Sequence, residues 1–267
     1  MLPKKLHLYW SGDRLPYLGF LTAFTFKHLN PQWEINLWTP LIKSQLRTWA
    51  SDEHSYSEKF SDWTARLYSI ADVVHIVDMR DLGVGNDISE IHKSDLLRYW
   101  FLYQQGGIYS DTDILYFKPV DSHLFEDHES FICPYSYGNS IGFLAAHKGS
   151  KFYEFMFDQA RNGPFDSYQN IGAELMNRLA PGNIEGMGRI SMDMVYHYNA
   201  DHVKEIFESD LIYPEISIGQ HWYAGHPWAG EFLNATNGGM IPFKAGIGKM
   251  IPPPGLNEYG YNFETGV

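Results

Sequence analysis

Residues 92–113 read His-Lys-Ser-Asp-Leu-Leu-Arg-Tyr-Trp-Phe-Leu-Tyr-Gln-Gln-Gly-Gly-Ile-Tyr-Ser-Asp-Thr-Asp, and this stretch decides the fold. Its first part predicts a helix from Asp87 to Gln105, with Asp87 or Ser89 as N-cap and Gly106-Gly107 as the stop. Leu96, Leu97, Tyr99, Trp100, Phe101, Leu102 and Tyr103 surround that helix, so it is buried on most sides. After the glycines, Ile108 to Phe117 has the pattern of a strand with two acids in its middle, ended by Lys118-Pro119. On a strand, Asp111 and Asp113 face the same side.

Two like charges set among Ile108, Tyr109, Ile114 and Leu115 are costly unless a cation joins them, and a hard divalent ion such as Mn²⁺ or Mg²⁺ is the natural candidate. A bare Asp-x-Asp is common at exposed strand ends. The apolar flanks are what set this one apart. Asp95 and Arg98, at i and i+3, share a helix face. They are either an intrahelical ion pair or an acceptor and a fork of donors offered to sugar hydroxyls and phosphate oxygens.

Working outward, Lys5 to Trp10 reads as a buried strand ending at Ser11-Gly12-Asp13, and Leu18 to Leu29 as a helix ended before Pro31. Trp33 to Trp38 alternates like a strand and is closed by Pro40, so the chain opens as a βαβ unit. Residues 43–70 are polar, aromatic and helical in pattern, with a break at Ser51-Asp52-Glu53, and Asp72 to Val77 is a short strand. Further strands are expected at Ser130 to Pro134 and Gly142 to Ala146, and helices at Phe152 to Arg161 and Ile171 to Leu179. Gly225, Gly230, Gly238-Gly239 and Pro252-Pro253-Pro254 punctuate a loop-rich final third. With no internal repeat and no linker, residues 1–267 are expected to form one domain.

Composition narrows the function classes. Hydrophobic residues make up 44% and charged ones 19%, which is globular rather than disordered. A formal charge of -12 argues against nucleic acid or an anionic bilayer as main partner, and it means that any diphosphate ligand needs a divalent cation beside it. Cys133 is the only cysteine, which excludes an intramolecular disulfide or a cysteine zinc site and suits a reducing compartment. No run reaches about 18 apolar residues and the N-terminal stretch is not a signal peptide, so no transmembrane segment and a cytoplasmic location are expected. Asn234-Ala235-Thr236 is a formal glycosylation sequon, a three-residue pattern that arises by chance.

The linked pattern Ser94-Asp95-x-x-Arg98-Tyr99, Gly106-Gly107-x-Tyr109 and Asp111-x-Asp113 resembles the sugar-binding DXD region of the family 32 glycosyltransferases, which includes initiating mannosyltransferases and is related to the clostridial glucosylating toxins. Leu6-His7-Leu8-Tyr9-Trp10-Ser11-Gly12 is similar to that family's opening strand, and Asn30-Pro31-Gln32-Trp33-Glu34 to its following turn. The resemblance implies an α/β fold of GT-A type, Rossmann-like, with a mixed, mainly parallel sheet. Residues 1–120 would be the nucleotide-sugar half, and 121–267 the acceptor half with a closing C-terminal loop.

It also implies roles. Trp10 would stack on the base, with Ser11 and Tyr99 beside the donor, and Asp95 and Arg98 would fix the sugar. Asp113 would hold the cation directly, and Asp111 directly or through water. Asn139, in Asn139-Ser140-Ile141-Gly142, resembles a residue beside the transferred sugar, while Ile171-Gly172-Ala173-Glu174 departs from the family's Thr-Gly-Pro turn. His221-Trp222-Tyr223-Ala224-Gly225-His226-Pro227-Trp228 is similar to the loop that closes over the diphosphate. Within it His221 is the first choice and His226 the second for a further metal ligand, and either Trp222 or Trp228 would donate to a phosphate oxygen.

The implied reaction moves a hexose from a UDP- or GDP-sugar to a glycan, polysaccharide or other hydroxyl acceptor, with retention of configuration. A phosphohydrolase is disfavoured, because Leu115 stands where that class needs Thr or Val and the motif lies mid-chain. A carbohydrate- or nucleotide-sugar-binding protein without turnover is the alternative.

Overall fold

In the computed structural model, which describes residues 1–46, 62–135, 138–181 and 184–229, the chain opens as β1 (Lys5–Tyr9), α1 (Tyr17–Leu29) and β2 (Glu34–Pro40). Leu6, His7, Leu8 and Tyr9 are all buried, as a strand covered on both faces requires. β1 pairs parallel to β2, from Lys5↔Glu34 to Tyr9↔Trp38. The expected βαβ unit is present.

Next come α2 (Thr64–Ile70), β3 (Val73–Val77), α3 (Glu90–Gln104), β4 (Gly107–Ser110) and β5 (Ile114–Tyr116). They are followed by β6 (Ser130–Tyr135), β7 (Gly138–Ala146), α4 (Lys151–Arg161), α5 (Ala173–Leu179), β8 (Gly188–Arg189), α6 (Val203–Glu208) and β9 (Gly219–His221). Seven strands form one sheet in the order β3-β2-β1-β4-β7-β6-β8. β7 alone runs antiparallel to its neighbours β4 and β6, so the sheet is mixed but mainly parallel. This is the mixed, mainly parallel α/β sheet expected above.

Each face of the sheet carries its own core. Leu21 and Phe26 of α1 pack with Leu6, Leu8, Ile35 and Ile108 on one side, and Leu97 and Phe101 of α3 pack with Tyr9, Trp38, Tyr109 and Met156 on the other. Among the described residues no helix is long and apolar enough to cross a membrane.

Ser89 caps α3 by accepting a hydrogen bond from His92 N at 3.3 Å. Gly106 (φ 67°) and Gly107 (φ 107°) then turn the chain into β4. At Gly107 a Cβ would lie 2.5 Å from the Lys5 carbonyl oxygen, so only glycine allows β4 to lie against β1 at that point.

Three expectations are corrected. The strand read as Ile108 to Phe117 is two strands: β4 stops at Ser110, and β5 pairs antiparallel with β9 in a separate ribbon. The Asp111 amide still donates to the Gly142 carbonyl at 2.8 Å, but Thr22 Oγ1 on α1 donates to Thr112 O at 2.8 Å and draws the chain off the sheet. Asp111 and Asp113 therefore flank a crossing between two sheets instead of sharing one face of a single strand. Pro40 does not stop β2 short, but is its last residue, opposite Val77; a missing N–H is tolerated at a strand terminus. β7 begins four residues earlier than expected, at Gly138. The break at Ser51-Asp52-Glu53, the sequon at Asn234 and the prolines at 252–254 lie outside the described residues.

Candidate functional site

The end of β4, the crossing to β5 and the end of β9 meet at one place. Asp111, Asp113 and His221 each offer a ligand atom there, all within 4.8 Å of one another, and they are the one such grouping of three among the described residues. β9 brings His221 opposite Ile114 in the ribbon, which sets the imidazole beside Asp113. His221 Nε2 lies 2.9 Å from Asp113 Oδ1. The imidazole and the carboxylate attract each other as charges, and Oδ1 is buried.

Burial pushes the Asp113 carboxyl up, but the nearby His221 and the Ala224 amide, which donates to Oδ2 at 2.9 Å, more than offset it and hold the group below the usual range. Burial likewise pushes His221 down, and the negative charge of Asp113, with Asp111 behind it, brings it above an ordinary histidine. The Tyr223 amide donates to His221 Nδ1 at 3.2 Å, leaving Nε2 as the nitrogen facing the carboxylates. Tyr223 itself has φ 55°, the one non-glycine left-handed residue among those described.

One step deeper, α3 supplies a buried charge pair. Arg98 Nη2 is 2.9 Å from Asp95 Oδ1 and Nη1 is 3.7 Å from Asp111 Oδ1, so the guanidinium bridges the two carboxylates. Its remaining donors reach the Ile141 carbonyl (2.8 Å) and Ser94 Oγ (2.9 Å), and its Cζ lies 4.4 Å from the centre of the Tyr109 ring. Burial dominates at Asp95 and raises its carboxyl to about 7 in spite of Arg98. Gly172 packs against Asp95 so closely that a Cβ would overlap Oδ2.

Other predicted residues separate by location. Trp10, with its ring against Gly12, is 8% exposed at the end of β1. Ser11 reaches the Glu90 carboxylate. Trp222 is buried, and its indole Nε1 has no hydrogen-bond partner; its amide donates to the Asp113 carbonyl at 2.9 Å, which ties the loop to the acids. Trp228 is 45% exposed, with Lys204 Nζ 5.3 Å from its ring. His226 Nδ1 accepts from the Trp228 amide at 3.3 Å and is not in the Asp111–Asp113–His221 group. Tyr99 donates to the Gly172 carbonyl at 3.1 Å, behind Asp95. Asn139 uses its side-chain amide on the Ala180 carbonyl (2.9 Å) and on Asn177, so it fastens α5 to β7.

Residues to which the sequence reading gave no role also shape the site. Tyr109 donates to Asp111 Oδ1 at 2.5 Å and contacts Ser94 Oγ. It lies two residues before Asp111, so strand alternation was a signal that it shares that side. Gly142, where a Cβ would overlap Asp111 Oδ2 and sit 2.6 Å from the Tyr196 hydroxyl, and the Ala224 amide have no such signal, because they arrive from distant segments.

Residues 22–131 match the family model described as "Glycosyltransferase sugar-binding region containing DXD motif". The chain contains this region. Its DXD element is Asp111-Thr112-Asp113, and the residues that brace it from α3 fall inside the same matched span. The initiation-specific alpha-1,6-mannosyltransferase of Saccharomyces cerevisiae is 34% identical over 88 residues, 30% of this chain and 17% of that protein. Subversion of eukaryotic traffic protein A of Legionella pneumophila is 24% identical over 140 residues, 51% of this chain and 21% of that protein. The chain thus spans about a fifth of the length of these relatives. Among solved structures, the PaToxG glycosyltransferase covers 68% of this chain, and this chain 71% of it, at 16% identity and TM-score 0.45. The galactosyltransferase LgtC, solved with donor and acceptor sugar analogs, covers 88% of this chain, with 97% of its own length covered, at 11% identity and TM-score 0.44.

Proposed function

We propose that this protein is a metal-dependent glycosyltransferase that moves a hexose from a UDP- or GDP-sugar to a hydroxyl of a glycan or polysaccharide acceptor, with retention of configuration. The observation that carries the reading is the convergence of Asp111, Asp113 and His221 beside the Asp95–Arg98 pair inside a matched DXD region.

The donor set fits a divalent cation of the Mn²⁺ or Mg²⁺ kind: two carboxylates and an imidazole whose ligand atoms lie within 4.8 Å of one another. When bound there, such an ion neutralises the diphosphate and stabilises the departing nucleoside diphosphate. The chain's own residues do the remaining work. Trp10 offers a ring to the base, and Asp95 accepts from sugar hydroxyls. Arg98, with its donors already committed inside the protein, holds Asp95 and Asp111 in register rather than reaching out to phosphate. The buried, unpartnered indole N–H of Trp222 is the preferred phosphate donor over that of the exposed Trp228. We assign Asn139 to packing α5, which leaves Asp95 as the one carboxylate of that pair near the sugar, beside a front-face substitution without a covalent intermediate. The lone, buried Cys133 suits the cytoplasmic location expected from the sequence.

A thermal-shift and hydrolysis screen of UDP- and GDP-sugars with Mn²⁺ tests this. One donor should stabilise the protein and release nucleoside diphosphate, and both effects should vanish with chelator or in Asp113→Ala. Binding of no nucleotide-sugar, or binding indifferent to chelator, would overturn the proposal.

A further inference from the structure

Beside the donor site lies a second buried charge network that neither the cation nor the sugar contacts explain. Lys93 on the first turn of α3 is 0% exposed. Its Nζ is 2.8 Å from Glu90 Oε1 and donates to the Ile42 carbonyl at 2.7 Å. Glu90 Oε2 accepts from the Tyr9 hydroxyl at 2.6 Å, Oε1 accepts from the Ser44 amide at 2.5 Å, and Ser11 also reaches this carboxylate. One ion pair thus pins the end of β1, the segment after β2 and the start of α3. Taking a lysine out of water carries a desolvation cost that its ion pair must offset, so a lysine at such a spot is poorly explained by stability alone.

What the network holds is specific. Tyr9 and Ser11 flank Trp10, and side chains alternate along an extended chain. Tyr9 therefore points to the α3 side and Trp10 to the α1 side, as their membership of the two opposite cores shows. Clamping the residues on both sides of Trp10 fixes the backbone that aims its ring, and the Trp10 amide is held by the Trp38 carbonyl at 2.9 Å. We infer that the Glu90–Lys93 pair, through Tyr9 and Ser11, is a positioning device that fixes Trp10 for the nucleotide base, separately from the cation site. This rests on the donor-site reading above.

The test is calorimetric titration of UDP and GDP in the presence of Mn²⁺, beside titration of Mn²⁺ alone followed by electron paramagnetic resonance. Wild type is compared with Lys93→Met and with Tyr9→Phe, the milder variant that deletes a single hydroxyl should Lys93→Met fail to fold. The expected result is nucleoside diphosphate affinity weakened about tenfold in Lys93→Met and about threefold in Tyr9→Phe, with Mn²⁺ affinity unchanged within twofold. Donor KM should rise by the same factors while kcat changes little. Lys93→Arg, which keeps the charge and the donors, should recover part of the loss. Folded variants that bind nucleotide like wild type, or that lose Mn²⁺ and nucleotide affinity together, would overturn the positioning role. If wild type binds Mn²⁺ but neither nucleotide, the donor-site reading itself is wrong, and this inference falls with it.

Discussion

Replacing Asp95 by Asn should stabilise the metal-free protein at pH 8 while abolishing sugar transfer. Asp95 is 2% exposed and its carboxyl is raised from an ordinary 3.8 to about 7, because the loss of water outweighs the attraction of Arg98 at 2.9 Å. Between about pH 4 and pH 7 the folded chain holds a proton there that the unfolded chain has released, so stability falls as the pH rises through this window. Raising the carboxyl from 3.8 to about 7 sets the cost of the ionised form at about 4 kcal/mol above pH 7. Asparagine has the shape of the neutral acid and escapes that cost. Urea unfolding of both proteins in chelator, at pH 4.5 and pH 8, reads the effect. The variant should match wild type within about 1 kcal/mol at the lower pH and exceed it by up to about 4 kcal/mol at the higher. A variant less stable than wild type at pH 8 would show that the Arg98 ion pair outweighs burial, and would refute the reasoning. Exchange of stability for function at such a residue is expected wherever a site keeps a buried charge ready for a ligand.

Acid should act through His7 in the opposite sense. Burial holds its imidazole near 3, neutral, with Nε2 donating to the Gly106 carbonyl and Nδ1 accepting from Trp38. Stability contributed by this group is complete above pH 6.5 and falls as the pH drops towards 3, by about 5 kcal/mol over the whole range. The Asp95→Asn background removes the opposing slope and should expose this one in unfolding curves, and His7→Gln should flatten it. Gly142→Ala should push Asp111 aside and weaken Mn²⁺ binding at least tenfold by electron paramagnetic resonance, while leaving the metal-free melting temperature within a few degrees. Gly107→Ala should do the reverse in kind. It strains a residue at φ 107° against the Lys5 carbonyl and costs about 2 kcal/mol or more of stability, seen as a lower urea midpoint.

Much of this protein is legible in the linear chain because the relevant physics is local. The apolar surround of Leu96 to Tyr103, the Ser89 cap and the Gly106-Gly107 stop specify α3 and its turn into β4 within twenty residues. The spacing of Asp95, Arg98 and Asp111 along those elements brings the acids near one another, and β1, α1 and β2 follow from apolar runs bounded by Ser11-Gly12-Asp13, Pro31 and Pro40. Tertiary structure decided the rest. The crossing between sheets at Thr112 depends on a hydroxyl of α1, ninety residues earlier, and no periodicity within Ile108 to Phe117 records it. That His221, and not His226, lies beside Asp111 and Asp113 depends on β9 pairing with β5, since the ribbon register puts that imidazole 2.9 Å from Asp113. Arg98, which spacing left as either the ion-pair partner of Asp95 or a donor to ligand, meets Asp95, Ser94 and Ile141 inside the protein, and the Ile141 contact comes from a strand that helix spacing does not record.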